Sequence, residues 1–74
     1  MKHAVIDLEK TGLQLSFWLQ KRKITQEELA RKLHVSSSTV SKWCLGKALP
    51  SLDHFIALCT ILKIHPEALF VIRE

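Results

Sequence analysis

Apolar residues recur at intervals of three and four along most of this chain, and only two glycines and two prolines interrupt them. A half-buried strand would alternate, and a β-rich chain would need more turn residues. The pattern instead predicts an all-α bundle of short helices. In TGLQLSFWLQKRK, Thr11 reads as an N-cap with Gln14 closing a capping box, and Leu15, Trp18, Leu19 and Arg22 follow at helical spacing. TQEELARKL repeats the signal more clearly: Thr25 caps, Glu28 closes the box, and Leu29, Ala30 and Leu33 form an inner stripe. After a short His34-Val35 turn, Ser36 can cap a third helix, with Val40 and Trp43 inside, Cys44 beside them, and Gly46 closing it. Pro50-Ser51 opens a fourth helix with Leu52, Phe55, Ile56, Cys59 and Leu62 inside. Pro66 opens a fifth, with Leu69 and Phe70 inward. Seventy-four residues give room for one domain. A core of that size depends on close helix packing or on dimerisation.

Charge is concentrated in the middle of the chain. Residues 20–50 hold Lys21, Arg22, Lys23, Arg31, Lys32, Lys42 and Lys47 against only Glu27 and Glu28, while the flanking segments are close to neutral. The same middle segment contains HVSSSTVSKW, a run of small hydroxyl residues. Local positive charge favours a polyanionic partner, although a solvated face would look the same by charge alone.

Other chemistries find little support. Cys44 and Cys59 are too few for a disulfide scaffold and read as buried thiols in a reducing cytoplasm. Together with His34, His54 and His65 they contain no pair at structural metal-site spacing, so no metal and no cofactor are expected. A redox switch at Cys44 is the sharper idea, but thiols in apolar surroundings are usually inert. No set of nucleophile, base and orienting group can be argued from spacing, and no glycine-rich phosphate loop exists, so no enzyme is expected. Nothing resembles a signal peptide or a membrane span, which fits a cytoplasmic protein. Trp18 and Trp43 lie on inner faces and read as core.

The second and third helices, joined by so short a turn, form a helix-turn-helix. The second helix of that motif enters the major groove of DNA with its N-terminal residues at the base edges. Small hydroxyls suit that position: they permit close approach and can donate or accept a hydrogen bond. Serine is a poor interior helix former but a good one at a start, so SSST is tolerated at the cap and first turn.

The ordered set TQEELA, then V-S-x-S-T-V-S-x-W, then GK, a gap and P-S-L resembles the Cro/CI-type (XRE) helix-turn-helix family of bacterial and phage regulators. The resemblance covers roughly residues 13–70 and places the domain at residues 11–72. It implies a five-helix lambda-repressor-like fold, binding of double-stranded DNA and, usually, repression by a homodimer on a pseudo-palindromic operator. Position by position, it implies that Ser37, Ser38 and Lys42 read bases, with Ser41 contributing from the groove side. It assigns Gln26 and Lys47 to phosphates, and Ser36 and Thr39 to the cap and phosphates.

Four departures stand out. Where the family commonly pairs a buried arginine with a glutamate, this chain has Leu19 and Cys44; the joint loss of both charges supports the alignment, and the two side chains are expected to touch. His34 and Lys63 stand where glycine is frequent, so either these turns differ or they accept strain. Ala57 and Ile61 occupy usually charged positions. With the C-terminal segment they suggest a dimer surface at Leu58, Ile61, Phe70 and Ile72, unless packing within one subunit covers them. Lastly, residues 1–10 form an arm that is disordered, a short strand or an added helical turn, with FVIR or a second subunit as its partner if it is a strand. The alternative function is a protein-interaction module of the same fold, an antitoxin or an anti-repressor. The few residues flanking the domain disfavour the antitoxin.

Overall fold

A computed structural model describes residues 5–73. Four α-helices carry the fold: α1 (Leu8–Arg22), α2 (Gln26–Leu33), α3 (Ser37–Cys44) and α4 (Leu52–Leu62). A two-stranded antiparallel ribbon joins the ends, β1 (Val5–Ile6) with β2 (Ile72–Arg73), in the register Val5 to Arg73 and Ile6 to Ile72. Of the conformations open to the arm of residues 1–10, residues 5–6 take the short strand paired with the far end of the chain, residues 8–10 add a helical turn to α1, and residues 1–4 lie outside the described residues. None of the described helices is long and apolar enough to cross a membrane.

Three helices start where their caps predict. Thr25 and Glu28 form the reciprocal capping box of α2, Ser36 caps α3 through the Thr39 amide, and Ser51 caps α4 through the His54 amide. The start of α1 needs correction. Asp7, not Thr11, is its cap: Asp7 Oδ1 accepts from the Lys10 amide at 3.0 Å. Thr11 is buried inside the helix, and its hydroxyl accepts the Val71 amide at 3.0 Å. A side chain that reads as a cap therefore satisfies an orphan donor where the C-terminal segment enters the ribbon.

The fifth helix is a single 3-10 turn, Pro66–Ala68. Pro66 starts it as expected, but the chain must then extend into β2, so no room remains for an α-helix. Leu69 is buried, and Phe70 stacks on Phe55 with ring centroids 4.1 Å apart.

One device closes three helices. Lys23, His34 and Lys63 all adopt the left-handed conformation, with φ of 58°, 57° and 56°. In each, the next residue donates its amide five residues back: Ile24 to Leu19, Val35 to Ala30 and Ile64 to Cys59. Ile24, Val35 and Ile64 also pack against the core. Left-handed geometry costs a non-glycine residue about 1 kcal/mol. The satisfied carbonyls and the buried following residue of this Schellman arrangement offset it. The strain at His34 and Lys63 is therefore accepted.

The core comprises Leu15, Leu19, Leu29, Leu33, Val40, Trp43, Phe55, Leu58, Leu62 and their neighbours. Arg22 Nε donates to the Leu62 carbonyl at 2.7 Å, and its guanidinium lies over the Trp18 ring; Trp18 Nε1 donates to the Ala68 carbonyl at 3.2 Å. These bonds tie the end of α1 to the end of α4 and to the 3-10 turn. On α4 the inner face is rotated from the expected one. Phe55, Leu58, Cys59 and Leu62 are buried, whereas Leu52 and Ile56 face outward. Leu58, expected on a dimer surface, has no exposed area at all and is core. Ile61 and Phe70 of the same expected surface are half-buried against the core, and only Ile72 is well exposed.

Candidate nucleic-acid interface

The helix-turn-helix pair forms the most extensive helix contact in the molecule, α2 against α3, with α1 packed on α3 as well. α3 has two distinct faces. Val40, Trp43 and Cys44 are buried. Ser37, Ser38 and Lys42 are exposed, with Ser41 half-buried beside them. Ser38 and Lys42 are four residues apart, as are Ser37 and Ser41, so each pair shares a line along the helix. The outward face thus offers hydroxyls and one ammonium on a backbone that no bulky side chain shields.

The cap region is already engaged. Ser36 Oγ accepts the Thr39 amide at 3.1 Å and lies 2.9 Å from Thr39 Oγ1. That pairing leaves the two hydroxyls fixed at the start of α3 and commits them first to the cap. Gln26, the first residue of α2, is exposed, and a helix N-terminus suits an anion. At the other end of α3 the chain turns back sharply. The Gly46 amide donates to the Trp43 carbonyl at 3.2 Å and the Lys47 amide to the Lys42 carbonyl at 2.9 Å. Lys47, exposed, is therefore held against the end of the helix that carries Lys42. Gly46 has a φ of 74°, and an added Cβ would lie 2.8 Å from the Glu9 Cα, so the turn also depends on close approach to α1.

Lys21, Lys23, Arg31, Lys32, Lys42 and Lys47 are all exposed. The structure brings Ser37, Ser38 and Lys42 onto one helix face and fixes Lys47 at its end; Ser36 and Thr39 sit at its start. Sequence reasoning missed Gly12. A Cβ there would lie 2.7 Å from the Trp43 carbonyl oxygen and nearer still to that of Cys44, so α1 meets the backbone of α3 at this residue. The available signal was a glycine inside a helical pattern, which usually has a packing reason. Reading Thr11 as a cap hid it.

Both thiols are free and buried. Burial pushes each thiol above its ordinary value of 9.0; at Cys44 a hydrogen bond with Ser16 partly opposes this. Because the folded value is raised, the folded state keeps its thiol protons after the unfolded chain has lost them. The stabilisation is complete below the unfolded value and is lost as pH rises through the folded one. Urea midpoints should therefore fall as pH rises past about 9, and less steeply in a Cys44→Ala, Cys59→Ala chain. Equal falls in both chains would contradict this. Among the described residues, no group of three His, Cys, Asp or Glu side chains could hold a metal ion.

Comparison with known proteins gives a consistent result. A helix-turn-helix family model matches residues 15–69. The restriction-modification controller protein C.AhdI from Aeromonas hydrophila is 33% identical, with a TM-score of 0.78 over 86% of this chain and 97% of that one. The SOS-response transcriptional repressor LexA from Eubacterium rectale is 30% identical, with a TM-score of 0.77 over 90% of this chain and 73% of that one. The DNA-binding domain of the P22 C2 repressor is 25% identical, with a TM-score of 0.75 over 85% and 83% of the two chains. No curated protein matches the chain in sequence. The matched span, the paired α2 and α3, and these structural likenesses agree: the chain belongs to the Cro/CI-type (XRE) helix-turn-helix family of DNA-binding regulators.

Proposed function

We propose that this protein is a transcriptional repressor that binds double-stranded DNA as a homodimer on a pseudo-palindromic operator and acts by occluding a promoter. The observation that carries this reading is the two-faced α3: Ser37, Ser38 and Lys42 exposed on one side, Val40, Trp43 and Cys44 buried on the other. Two structurally similar proteins are repressors by name, which supports the same direction of control.

Each subunit lays α3 in one major groove, with the two grooves about one helical turn, roughly 34 Å, apart. Gln26 and Lys47 hold phosphates on either side, Ser36 and Thr39 contribute from the cap, and these contacts set the register. Ser37, Ser38 and Lys42 meet base edges, with Ser41 behind them. Lysine favours the acceptors of guanine, whereas serine accepts several bases. Direct discrimination is therefore modest, and the shape of the DNA supplies part of it. The protein acts by binding and carries out no catalysis, in the cytoplasm with its DNA.

The roles separate in one experiment. Lys42→Ala should cost about 1–3 kcal/mol on the preferred site and relax preference at one base pair. Lys47→Ala should weaken all sequences alike and reduce the salt slope by about 1. Titration of both variants on a selected site and on its single-base variants checks this. Equal losses on every sequence for both lysines would overturn the division into base and phosphate contacts.

A further inference from the structure

The side of α1 that faces away from the core is not all polar. Leu13 and Phe17, one turn apart, are 66% and 50% exposed. They lie two residues, and so about 160° round the helix, from the buried Leu15 and Leu19. Lys10 and Lys21, both exposed, bracket the pair. At 1.5 Å per residue the two lysines stand about 16 Å apart, within about 20° of each other on one flank of the stripe. Glu9, the only acidic residue of α1, falls on the other flank. Beside the stripe, Phe17, Gln20 and Lys21 bound a shallow depression of about 380 Å³. Phe17 also meets the Trp18 ring edge-on at 5.2 Å, and Trp18 is itself fixed by its bond to the Ala68 carbonyl. An aromatic anchor held in this way loses little freedom when something covers it.

We infer that this face of α1 docks an acidic amphipathic helix of another protein, which lays a short apolar stripe over Leu13 and Phe17 and sets carboxylates against Lys10 and Lys21. Charge and shape select that occupant. A DNA duplex would press hydrated phosphates onto two large apolar side chains, which gain nothing from them. In an antiparallel twofold contact with a second copy, Lys10 of one chain would face Lys21 of the other. A lipid surface takes a broad apolar face, whereas α1 commits its other side to the core and shows only these two large side chains. A helix about three turns long spans the lysines and packs along the stripe. So small a contact is transient, and the lysines add steering and selectivity to it.

The surface also stands clear of α3. α3 meets α1 at Gly12, about a third of a turn round the helix from the middle of the stripe. The partner can therefore ride on the protein while α3 occupies a groove, and the docking surface does not depend on the repressor reading.

Anisotropy of a labelled synthetic peptide tests this on the full chain without DNA. The probe is a helical peptide with two leucines one turn apart, set between glutamates three turns apart. Its counterpart carries lysines in place of the glutamates. The glutamate peptide should bind about 10-fold tighter or more, and salt should narrow the difference. Trp18 emission should shift on binding, because Phe17 lies against its ring. Leu13→Gln, Phe17→Gln should weaken the glutamate peptide about 10-fold or more, as loss of the central anchors does. The circular dichroism and DNA affinity of that variant should stay as they are, since both residues are exposed and lie off α3. Lys10→Glu, Lys21→Glu should reverse the order of the two peptides. A protein–DNA complex should bind the glutamate peptide as the free chain does.

No binding of the glutamate peptide, equal binding of both peptides, or binding that survives the glutamine substitutions would overturn the inference. Displacement of the peptide by DNA would do the same. So would sedimentation showing that Leu13 and Phe17 hold two copies together, or anionic vesicles that outcompete the peptide for this face. A chain that binds the peptide but no DNA would sustain the inference and sink the repressor reading, so the two fail separately.

Discussion

Cys44→Glu should destabilise the protein by about 3–5 kcal/mol, the cost of a buried charge left without its partner. A domain of this length has roughly 4–11 kcal/mol to lose. The variant should therefore melt at least ~10 °C lower or fail to fold. Cys44 is buried in the same core cluster as Leu19, on helices that pack together. The family resemblance sets glutamate and arginine at these two positions, and this chain has replaced both. Adding Leu19→Arg to the Cys44→Glu chain should therefore recover most of the loss, because the pair would again be complete. Leu19→Arg alone should also destabilise. Thermal unfolding of the three variants gives the coupling between the sites. Additive losses in the double variant would show that the two side chains do not meet.

Gly12→Ala should also destabilise, for a different reason. In an exposed helix interior the change would favour the helix by about 1 kcal/mol. Here the added methyl would overlap the carbonyl oxygens of Trp43 and Cys44, which are backbone and cannot rotate away. α1 and the end of α3 must move apart, and overpacking of this kind costs about 1–3 kcal/mol, occasionally more. The displaced segment is the C-terminal end of α3, the proposed reading helix. DNA affinity should therefore fall even at temperatures where the variant remains folded. Circular dichroism melts and DNA titrations on the same samples check both effects. An unchanged or higher Tm would refute the close approach of α1 to α3.

These two residues also show what could be read from the sequence and what could not. The caps Thr25, Ser36 and Ser51 act within four residues of chain, and three of the four starts follow from such local chemistry. The inner faces of α2 and α3 follow from periodicity, and with them the exposed Ser37, Ser38 and Lys42. What escaped depends on distant chain. Thr11 resembles a cap until Val71 arrives to use its hydroxyl. Gly12 has no visible role until the end of α3 lies against it. On α4, from Phe55 to Leu62 every residue but Thr60 is apolar, so periodicity alone does not choose the buried side; in the fold Phe55 lies inward and stacks on Phe70. The fifth helix was shortened by the ribbon that Val5–Ile6 makes with the other end of the chain.

On the proposed function, the hydroxyl-and-lysine face of α3 is a reading head for DNA. Its most direct test is fluorescence anisotropy on a pool of genomic duplexes, selected for binding and then titrated at two salt concentrations. A subset should bind far more tightly than the pool, with affinity falling steeply in salt at a slope of about −0.9 per phosphate contact. If no duplex binds above background even at low salt, the exposed serines and Lys42 do not read DNA, and the fold serves a protein partner instead.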